Sequence, residues 1–277
     1  MSKKLTKVIL WTPPRCLSSV FYRSMTTLKR AKCFQELFTG SYYFGPERRS
    51  DRYVRERNGC ISDVGLDLEG LTVSELTYDR IKKTLVSDYP NVDLVFTKEL
   101  VYCLPESLYP DMISEGFTEF THTFLIRDPE RAIPSNYRVT MNEQFDSGYL
   151  VPTSGGFEET YNLFNFIKEK KGLAPIVVDA ADLQTHSDET MKKYCEAVGI
   201  DFDPRMTSWD PGPCPSHYKI FSQWNSTVDQ STGFIKVKPE ELPPVPFHEL
   251  PHEVMGAIEN SKICYQEMKK YCIDITK

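Results

Sequence analysis

The sequence has no pair of cysteines at the spacing of a metal site or a redox motif. Its 277 residues include eight cysteines, and none of them belongs to a Cys-x-x-Cys pair. This scatter excludes a zinc ribbon and a small disulfide-stapled scaffold, and it predicts reduced thiols of the kind found in cytosolic proteins. The cysteines lie at positions 16, 33, 60, 103, 195, 214, 264 and 272.

Long apolar runs and an excess of positive charge are also missing. The first eleven residues contain an apolar run of only four, which is too short for a signal-peptide core or a membrane span. The formal net charge is -6, whereas nucleic-acid-binding proteins are typically basic. We therefore expect a cytoplasmic protein with a small-molecule partner and no nucleic-acid or membrane binding. The sequence does not indicate the oligomeric state.

Two glycine-rich nucleotide motifs are absent as well, and one apparent metal motif is misleading. Neither the Walker pattern GxxxxGK[ST] nor the dinucleotide pattern GxGxxG occurs. His248-Glu249-Leu250-Pro251-His252 matches the zinc motif HExxH, but Pro251 prevents the continuous helix that would place both histidines on one face. We therefore expect no metal site. The other histidines, at positions 122, 186 and 217, have no partner at ligand spacing.

Short apolar runs alternate with helical patterns along the chain. Strands are predicted at residues 7–11, 93–97, 121–126 and 175–178, with a weaker strand at 33–38. Helices are predicted at residues 17–30, 72–87, 129–142, 156–170 and 188–198. A proline-rich extended segment at 239–251 precedes a final helix that begins near Pro251. This alternation predicts one three-layer α/β domain over residues 1–277, with about five parallel strands flanked by helices.

The first candidate site follows the first predicted strand. The segment 12–19 links that strand to a helix, so the positive end of the helix dipole and its first backbone N–H groups face any bound group. Arg15, Ser18 and Ser19 add hydrogen-bond donors suited to a phosphate. Taken alone, this segment is equally compatible with an ordinary helix-capping loop.

The second candidate site begins with Arg127, directly after the predicted strand 121–126. Parallel α/β proteins bind ligands at the carboxyl ends of their strands, so Arg127 is expected to point into the ligand crevice. Ser135 lies eight residues later, early in the next predicted helix. We expect both side chains to reach one phosphate. The alternative is a structural ion pair between Arg127 and Asp128 or another acid.

Together, these two segments resemble the motifs of the sulfotransferase superfamily. In that family, a loop with a proline, a basic residue and hydroxyl residues binds the 5′-phosphosulfate of 3′-phosphoadenosine 5′-phosphosulfate (PAPS). Here that loop reads Pro14-Arg15-Cys16-Leu17-Ser18-Ser19. The family binds the 3′-phosphate with an arginine and a serine eight residues apart, as Arg127 and Ser135 are. The resemblance implies a P-loop fold, PAPS as donor and adenosine 3′,5′-bisphosphate as product.

Looser matches extend the resemblance over roughly residues 5–275. One runs from Val178-Asp179 through Asp182-Leu183 and precedes a helix that ends in Val198-Gly199-Ile200, and another runs from Trp224 to Ser231-Thr232-Gly233-Phe234. The family often lays a late, glycine-containing basic loop on the cofactor, which here would run from Gly233 to Lys238. The implied cofactor contacts of this region are Ser231, Thr232, Gly233 and Phe234.

The chain looks most similar to divergent family members that carry Glu-Pro-Phe and then Gly-Pro-Glu-Arg. Here these motifs read Glu36-Leu37-Phe38 and Gly45-Pro46-Glu47-Arg48. Two departures stand out. Cys16-Leu17 replaces the usual Ser-Gly of the loop, and the segment 98–103 stands where many members have a catalytic histidine.

The resemblance also implies catalytic residues. In some sulfotransferases a glutamate is the base that takes the acceptor's proton, and Glu36 is expected in a similar place, on a strand beside the first. Lys98 and Arg15 are expected to offset negative charge on the leaving group. The alternatives are a helix cap or ion pair for Glu36 and a solvated strand-end lysine for Lys98.

Residues 41–57 follow the candidate base and contain five arginines and three tyrosines. One interpretation is a lid that holds an aromatic or anionic acceptor. The other is a solvated helix face, which is the usual role of a charge run.

The sequence therefore predicts an enzyme that transfers a sulfuryl group from PAPS to a hydroxyl or amine of a small-molecule acceptor, without a metal. One alternative is a P-loop small-molecule kinase that uses ATP and magnesium. The other is a non-catalytic nucleotide-binding relative. The acceptor itself is not identified by the sequence.

Overall fold

The computed structural model describes residues 5–51, 71–141, 155–214, 227–235 and 250–276. Its centre is a five-stranded sheet in the order β2-β3-β1-β4-β5, with every neighbouring pair parallel. The predicted α/β class and its parallel sheet are confirmed. The strands are β1 (Thr6–Thr12), β2 (Ala31–Gln35), β3 (Leu94–Leu100), β4 (Phe120–Ile126) and β5 (Ile176–Asp179).

The central strand β1 is paired on both sides. Leu10 lies opposite Lys98 of β3, and Trp11 lies opposite Phe124 of β4. The expectation that β2 lies beside β1 is therefore wrong, because β3 occupies the position between them. All five strands still end at one edge of the sheet, since they are parallel, and the candidate residues follow those ends.

Helices cover both faces of the sheet and complete three layers. On one face, Phe21 of α1 stacks on Phe96 of β3 and meets Tyr194 of α7 edge-on. On the other face, Phe164 of α5 packs edge-on against Phe124 of β4. The helices are α1 (Ser18–Thr26), α2 (Leu37–Tyr43), α3 (Tyr78–Val86), α4 (Pro129–Thr140), α5 (Phe157–Lys171), α6 (Ala180–Thr185), α7 (Ser187–Val198) and α8 (His252–Lys269).

Several element boundaries differ from those expected. Strand β3 continues to Leu100 rather than ending at residue 97, so Lys98 lies inside the strand. Strand β2 stops at Gln35, because Glu36 adopts a left-handed conformation with φ of 57° and the chain then turns into α2. Helix α3 begins only at Tyr78, where the side chain of Thr77 caps it; a short 3₁₀ turn precedes it.

The C-terminal helix begins directly after a proline. Pro251 is the N-cap of α8, and the helix packs against α4 and α5. His252 opens the helix, while His248 and Glu249 of the HExxH match, and most of the segment 239–251, lie outside the described residues. Within the described ranges, no helix is long and apolar enough to cross a bilayer.

Candidate active site

The loop between β1 and α1 is shaped by two left-handed residues. Arg15 has a φ of 64° and Leu17, the N-cap of α1, has a φ of 65°. A non-glycine residue in this conformation costs roughly 1–2 kcal/mol. Leu17 thus adopts the conformation that the glycine usual at this position would adopt freely. The turn brings the first backbone N–H groups of α1, at Ser18 and Ser19, to the carboxyl edge of the sheet.

Cys16 fills the interior of this loop rather than offering a reactive thiol. It is fully buried, and its Sγ lies 3.7 Å from the carbonyl oxygen of Pro14. Burial raises the pKa of Cys16 to about 12, so the group is a neutral thiol. Pro14 in turn rests on Gly156, where an added Cβ would lie 3.1 Å from the Pro14 Cδ. The loop is therefore supported from inside and from the start of α5.

Two arginines and a serine meet beside this loop. The Nη1 of Arg127 donates to the carbonyl oxygen of Arg15 at 3.0 Å. The Nε of Arg15 donates to the Oγ of Ser135 at 3.2 Å. Ser135 was expected to act with Arg127, but its side chain is hydrogen-bonded to Arg15 instead, and Arg127 contacts the main chain of Arg15. A shared role of Arg127 and Ser135 at one phosphate stays a prediction. Among the described residues, the buried Nε of Arg127 has no hydrogen-bond partner.

Burial and like charge both act on these guanidinium groups. Burial lowers the pKa of Arg15, and the positive charge of Arg127 lowers it further. Burial also lowers the pKa of Arg127, as does the charge of Arg131. Positive charge gathered in a partly buried place favours the binding of an anion.

The acids closest to Arg127 are engaged elsewhere. Asp128 Oδ1 accepts from the backbone N–H of Glu130 at 2.9 Å and caps α4. Asp179 Oδ2 accepts from the Tyr265 hydroxyl at 2.7 Å. Both carboxylates counteract the lowering of the Arg127 pKa, yet within the described ranges neither forms an ion pair with Arg127. Among the described residues, Arg127 and Asp128 therefore do not form the structural ion pair that was the alternative interpretation.

Glu36 and Lys98 form an ion pair across β2 and β3. Lys98 is fully buried, and its Nζ contacts the Oε1 of Glu36, whose side chain is 15% exposed. The backbone N–H of Glu36 also donates to the carbonyl oxygen of Lys98 at 2.6 Å. Lys98 shares its sheet face with Phe96, because side chains alternate along a strand, and this is the face that α1 covers. Lys98 is therefore a paired lysine inside the protein, not a solvated one.

Glu99 is a buried carboxylate beside Glu36 that was not singled out from the sequence. It is fully buried, and its two carboxylate oxygens accept from the backbone N–H groups of Leu37 and Phe38, each at 3.1 Å. The hydroxyl of Thr97 donates to Oε1 of Glu99 at 2.6 Å. Burial raises the pKa of Glu99 to about 7, although these three hydrogen bonds favour its charged form. The three consecutive polar residues Thr97, Lys98 and Glu99, which follow the apolar residues 94–96, were the signal available in the sequence.

The late loop predicted to cover the cofactor packs on a neighbouring segment. Trp209 donates its backbone N–H to the carbonyl oxygen of Thr232 at 3.1 Å and its Nε1 to the Ser231 Oγ at 3.2 Å. Gly233 forms a bridge with Ser208, and Phe234 packs edge-on against Trp209. Contact of this loop with a cofactor stays a prediction, and residues 236–238 lie outside the described residues.

The arginine-rich stretch after α2 is only partly described. Residues 46–49 are exposed, whereas Tyr43 is buried and its hydroxyl lies 3.2 Å from that of Tyr102. Residues 52–57, which carry three of the five arginines, lie outside the described residues. The role of this stretch as a lid stays a prediction.

His122 is a core residue. The Nε1 of Trp11 donates to its Nδ1 at 3.0 Å, and the two rings stack. Burial lowers the pKa of His122 to about 3, so the ring is neutral at physiological pH. A buried, neutral ring inside β4 is suited to packing rather than to proton transfer.

Comparison with known proteins decides the family. A family model described as a sulfotransferase domain matches residues 102–263, more than half of the chain. The chain belongs to the sulfotransferase family. This match supports sulfotransferase-type activity, and it includes Arg127 and Ser135 but neither the loop after β1 nor Glu36 and Lys98.

Two curated relatives come from Arabidopsis thaliana. Branched-chain-amino-acid aminotransferase-like protein 2 is 27% identical over 121 residues, which are 44% of this chain and 20% of the relative. Branched-chain-amino-acid aminotransferase-like protein 1 is 28% identical over 142 residues, which are 51% of this chain and 22% of the relative. The sulfotransferase chain thus spans about a fifth of the length of these relatives.

Two solved structures have a loosely similar shape. The sulfotransferase domain from the curacin biosynthetic pathway has a TM-score of 0.48 at 14% identity, covering 92% of this chain and 97% of its own. A sulfotransferase from Alicyclobacillus acidocaldarius has a TM-score of 0.48 at 12% identity, covering 81% of this chain and 91% of its own. At these scores the likeness adds nothing to the assignment from the family model.

Proposed function

We propose that this protein transfers a sulfuryl group from PAPS to a hydroxyl or amine of a small-molecule acceptor and releases adenosine 3′,5′-bisphosphate. The observation that supports this most is the cluster of Arg15, Arg127 and Ser135 at the carboxyl edge of the sheet. Two partly buried guanidinium groups joined through one loop suit a ligand with two separate anionic groups. PAPS carries a 5′-phosphosulfate and a 3′-phosphate.

In this proposal the two anionic groups of the donor have different partners. Arg15, Ser18, Ser19 and the N–H groups at the start of α1 hold the 5′-phosphosulfate. Arg127 and Ser135 hold the 3′-phosphate, a group that ATP lacks. Selection of PAPS over ATP then depends on Arg127, whose buried Nε has no partner among the described residues.

The chemical step is an in-line displacement at sulfur. The acceptor oxygen or nitrogen forms a bond to sulfur while the bond from sulfur to the bridging oxygen breaks, and the electron pair leaves with the 5′-phosphate of the bisphosphate product. Glu36 takes the acceptor's proton. Lys98 and Arg15 offset the negative charge that develops on the leaving phosphate. The Lys98–Glu36 ion pair supports this division, because neutralising Glu36 leaves the buried ammonium available to the new negative charge.

Direct turnover measurement tests the proposal. The purified chain is incubated with PAPS and a panel of small alcohols, phenols and amines, and mass spectrometry follows the sulfated product together with adenosine 3′,5′-bisphosphate. A parallel reaction contains ATP and magnesium. We expect both products to form in equal amounts from PAPS and no phosphorylated product from ATP. Phosphorylation would instead identify a kinase, and turnover of neither donor would identify a non-catalytic relative.

A further inference from the structure

We propose that Glu99 is a positioning residue that fixes the main chain after Glu36 and thereby sets the pH dependence of transfer. This inference rests on the proposed function of Glu36. It starts from an observation that the proposed reaction leaves unexplained: a carboxylate with no exposed surface lies next to the base-bearing turn.

The turn that carries Glu36 is held by two consecutive residues of β3. Lys98 binds the Glu36 carboxylate with its ammonium group and the Glu36 N–H with its carbonyl oxygen. Glu99 binds the next two N–H groups, those of Leu37 and Phe38, with one carboxylate oxygen each. Because side chains alternate along a strand, Lys98 acts from one face of the sheet and Glu99 from the other.

The contacts of Lys98 and Glu99 with the turn stabilise an unusual backbone conformation at Glu36. The residue adopts a left-handed conformation, with φ of 57°, that a non-glycine residue keeps only when its surroundings impose it. The two N–H groups that Glu99 binds belong to the first residues of α2, which have no intrahelical acceptors. An ionised Glu99 therefore fixes the main chain directly after Glu36. The conformation of this main chain sets the direction of the Glu36 side chain.

The protonation state of Glu99 changes this hold. An ionised carboxylate offers acceptors on both oxygens, whereas a protonated one replaces an acceptor with a donor. Its pKa of about 7 places the change in the physiological range. Among the described residues, the charge of Glu36 across the turn raises the Glu99 pKa further. The Cys103 thiol lies near enough for the charge of Glu99 to raise its pKa, which burial already holds well above its usual value. Above neutral pH, both Glu99 oxygens therefore accept hydrogen bonds from the turn. Below neutral pH, protonation of Glu99 weakens these contacts.

Three proteins test the inference: wild type, Glu99→Gln and Thr97→Val. In wild type, kcat for sulfuryl transfer should rise through an inflection near pH 7. Glu99→Gln should remove that inflection and lower kcat above it by roughly 10- to 100-fold, since small misplacements of a reacting group have effects of this size. The KM for PAPS should change by less than about twofold, because the donor site is built by other strands. Thr97→Val removes a hydrogen bond that favours ionised Glu99, so it should move the inflection to higher pH.

A second measurement does not depend on turnover. The protein is labelled with ¹³C at its glutamate side-chain carboxyls, and the Glu36 signal is identified by its loss in Glu36→Gln. In wild type the Glu36 signal should respond to the titration of Glu99 near pH 7, and in Glu99→Gln this response should be absent. If wild type transfers no sulfuryl group but the response is present, the proposed function fails and the positioning role stands.

Other outcomes would overturn the positioning role alone. An unchanged kcat profile and an unchanged Glu36 signal in Glu99→Gln would show that Glu99 does not act through Glu36. Glu99→Gln could instead lose kcat, bisphosphate affinity and thermal stability in parallel, while Thr97→Val shows no shift of the inflection. This result would show that Glu99 has a structural role only. If Glu99→Gln does not fold, the pH profile of Thr97→Val decides alone. An inflection that does not move to higher pH in that variant contradicts the inference.

Discussion

The carboxyl edge of the sheet has two halves that differ in the balance of their charges. The β1–β4 half, with Arg15, Arg127 and Ser135, gathers positive charge beside a helix N-terminus. The β2–β3 half, with Glu36, Lys98 and Glu99, holds two carboxylates against one buried ammonium. The first half is suited to bind the anionic groups of a ligand, and the second is suited to move a proton.

The comparison suggests a division of the proposed roles in which anion binding depends on the β1–β4 half and proton transfer on the β2–β3 half. If the division is correct, a change in either half should alter one property and spare the other. Two changes test this, and a third measures the stability contribution of the β2–β3 half; they follow from the largest expected effect to the smallest.

The largest effect should follow from Glu36→Gln. The amide keeps the size of the side chain but cannot take a proton, so turnover should fall by roughly 10²–10⁴. Bisphosphate affinity, measured by calorimetry, should stay nearly unchanged. The matched control is Glu115→Gln, which makes the same replacement at an exposed position. Turnover above about a third of the wild-type value would remove Glu36 as the base.

A smaller effect should follow from Arg127→Ala in the other half. Losing a charge-assisted contact of about 1.5–3 kcal/mol should weaken adenosine 3′,5′-bisphosphate binding by roughly ten- to a hundredfold. Binding of adenosine 5′-phosphosulfate, which lacks the 3′-phosphate, should change much less. Arg138→Ala removes the same charge from an exposed position of α4 and serves as the control. Equal losses for both ligands would show that Arg127 does not contact the 3′-phosphate.

The smallest effect concerns stability and its pH dependence. The folded-state pKa of Glu99, about 7, lies above its ordinary value of 4.5, so protonated Glu99 favours the folded state. Its contribution is complete below about pH 4.5 and is lost as pH rises through 7. Between pH 5.5 and 7 this group alone should lower the free energy of unfolding by roughly 1–2 kcal/mol. Urea unfolding of wild type and Glu99→Gln at both pH values measures it, and equal pH dependence of the two proteins would contradict the assignment.

The β1–β4 half was the more predictable of the two. Arg127 directly follows an apolar run and Ser135 lies on the helix after it, so a strand–loop–helix unit places both at the sheet edge whatever the rest of the chain does. The loop after β1 follows the same logic. Such strand–loop–helix units are determined by residues that are neighbours in the sequence, so they can be predicted from the sequence alone.

The β2–β3 half depended on tertiary structure that the sequence does not display. Which strands lie side by side is decided by packing over long separations, and for this reason β2 was wrongly expected beside β1. The left-handed conformation of Glu36 could not be predicted from the sequence, because glutamate is not a residue that favours this conformation. The contacts of Lys98 and Glu99 with the turn depend on the register between β2 and β3, which only the folded chain defines.

The central claim is that the positive β1–β4 half recognises a nucleotide with both a 5′- and a 3′-phosphate. Calorimetric titration of the wild-type chain with adenosine 3′,5′-bisphosphate, compared with ATP–magnesium and with adenosine 5′-monophosphate, tests it most directly. The account predicts that the bisphosphate binds at least about tenfold more tightly than either comparison ligand, as expected for one additional charge-assisted phosphate contact. Equal affinity for all three ligands, or tighter binding of ATP–magnesium, would contradict it.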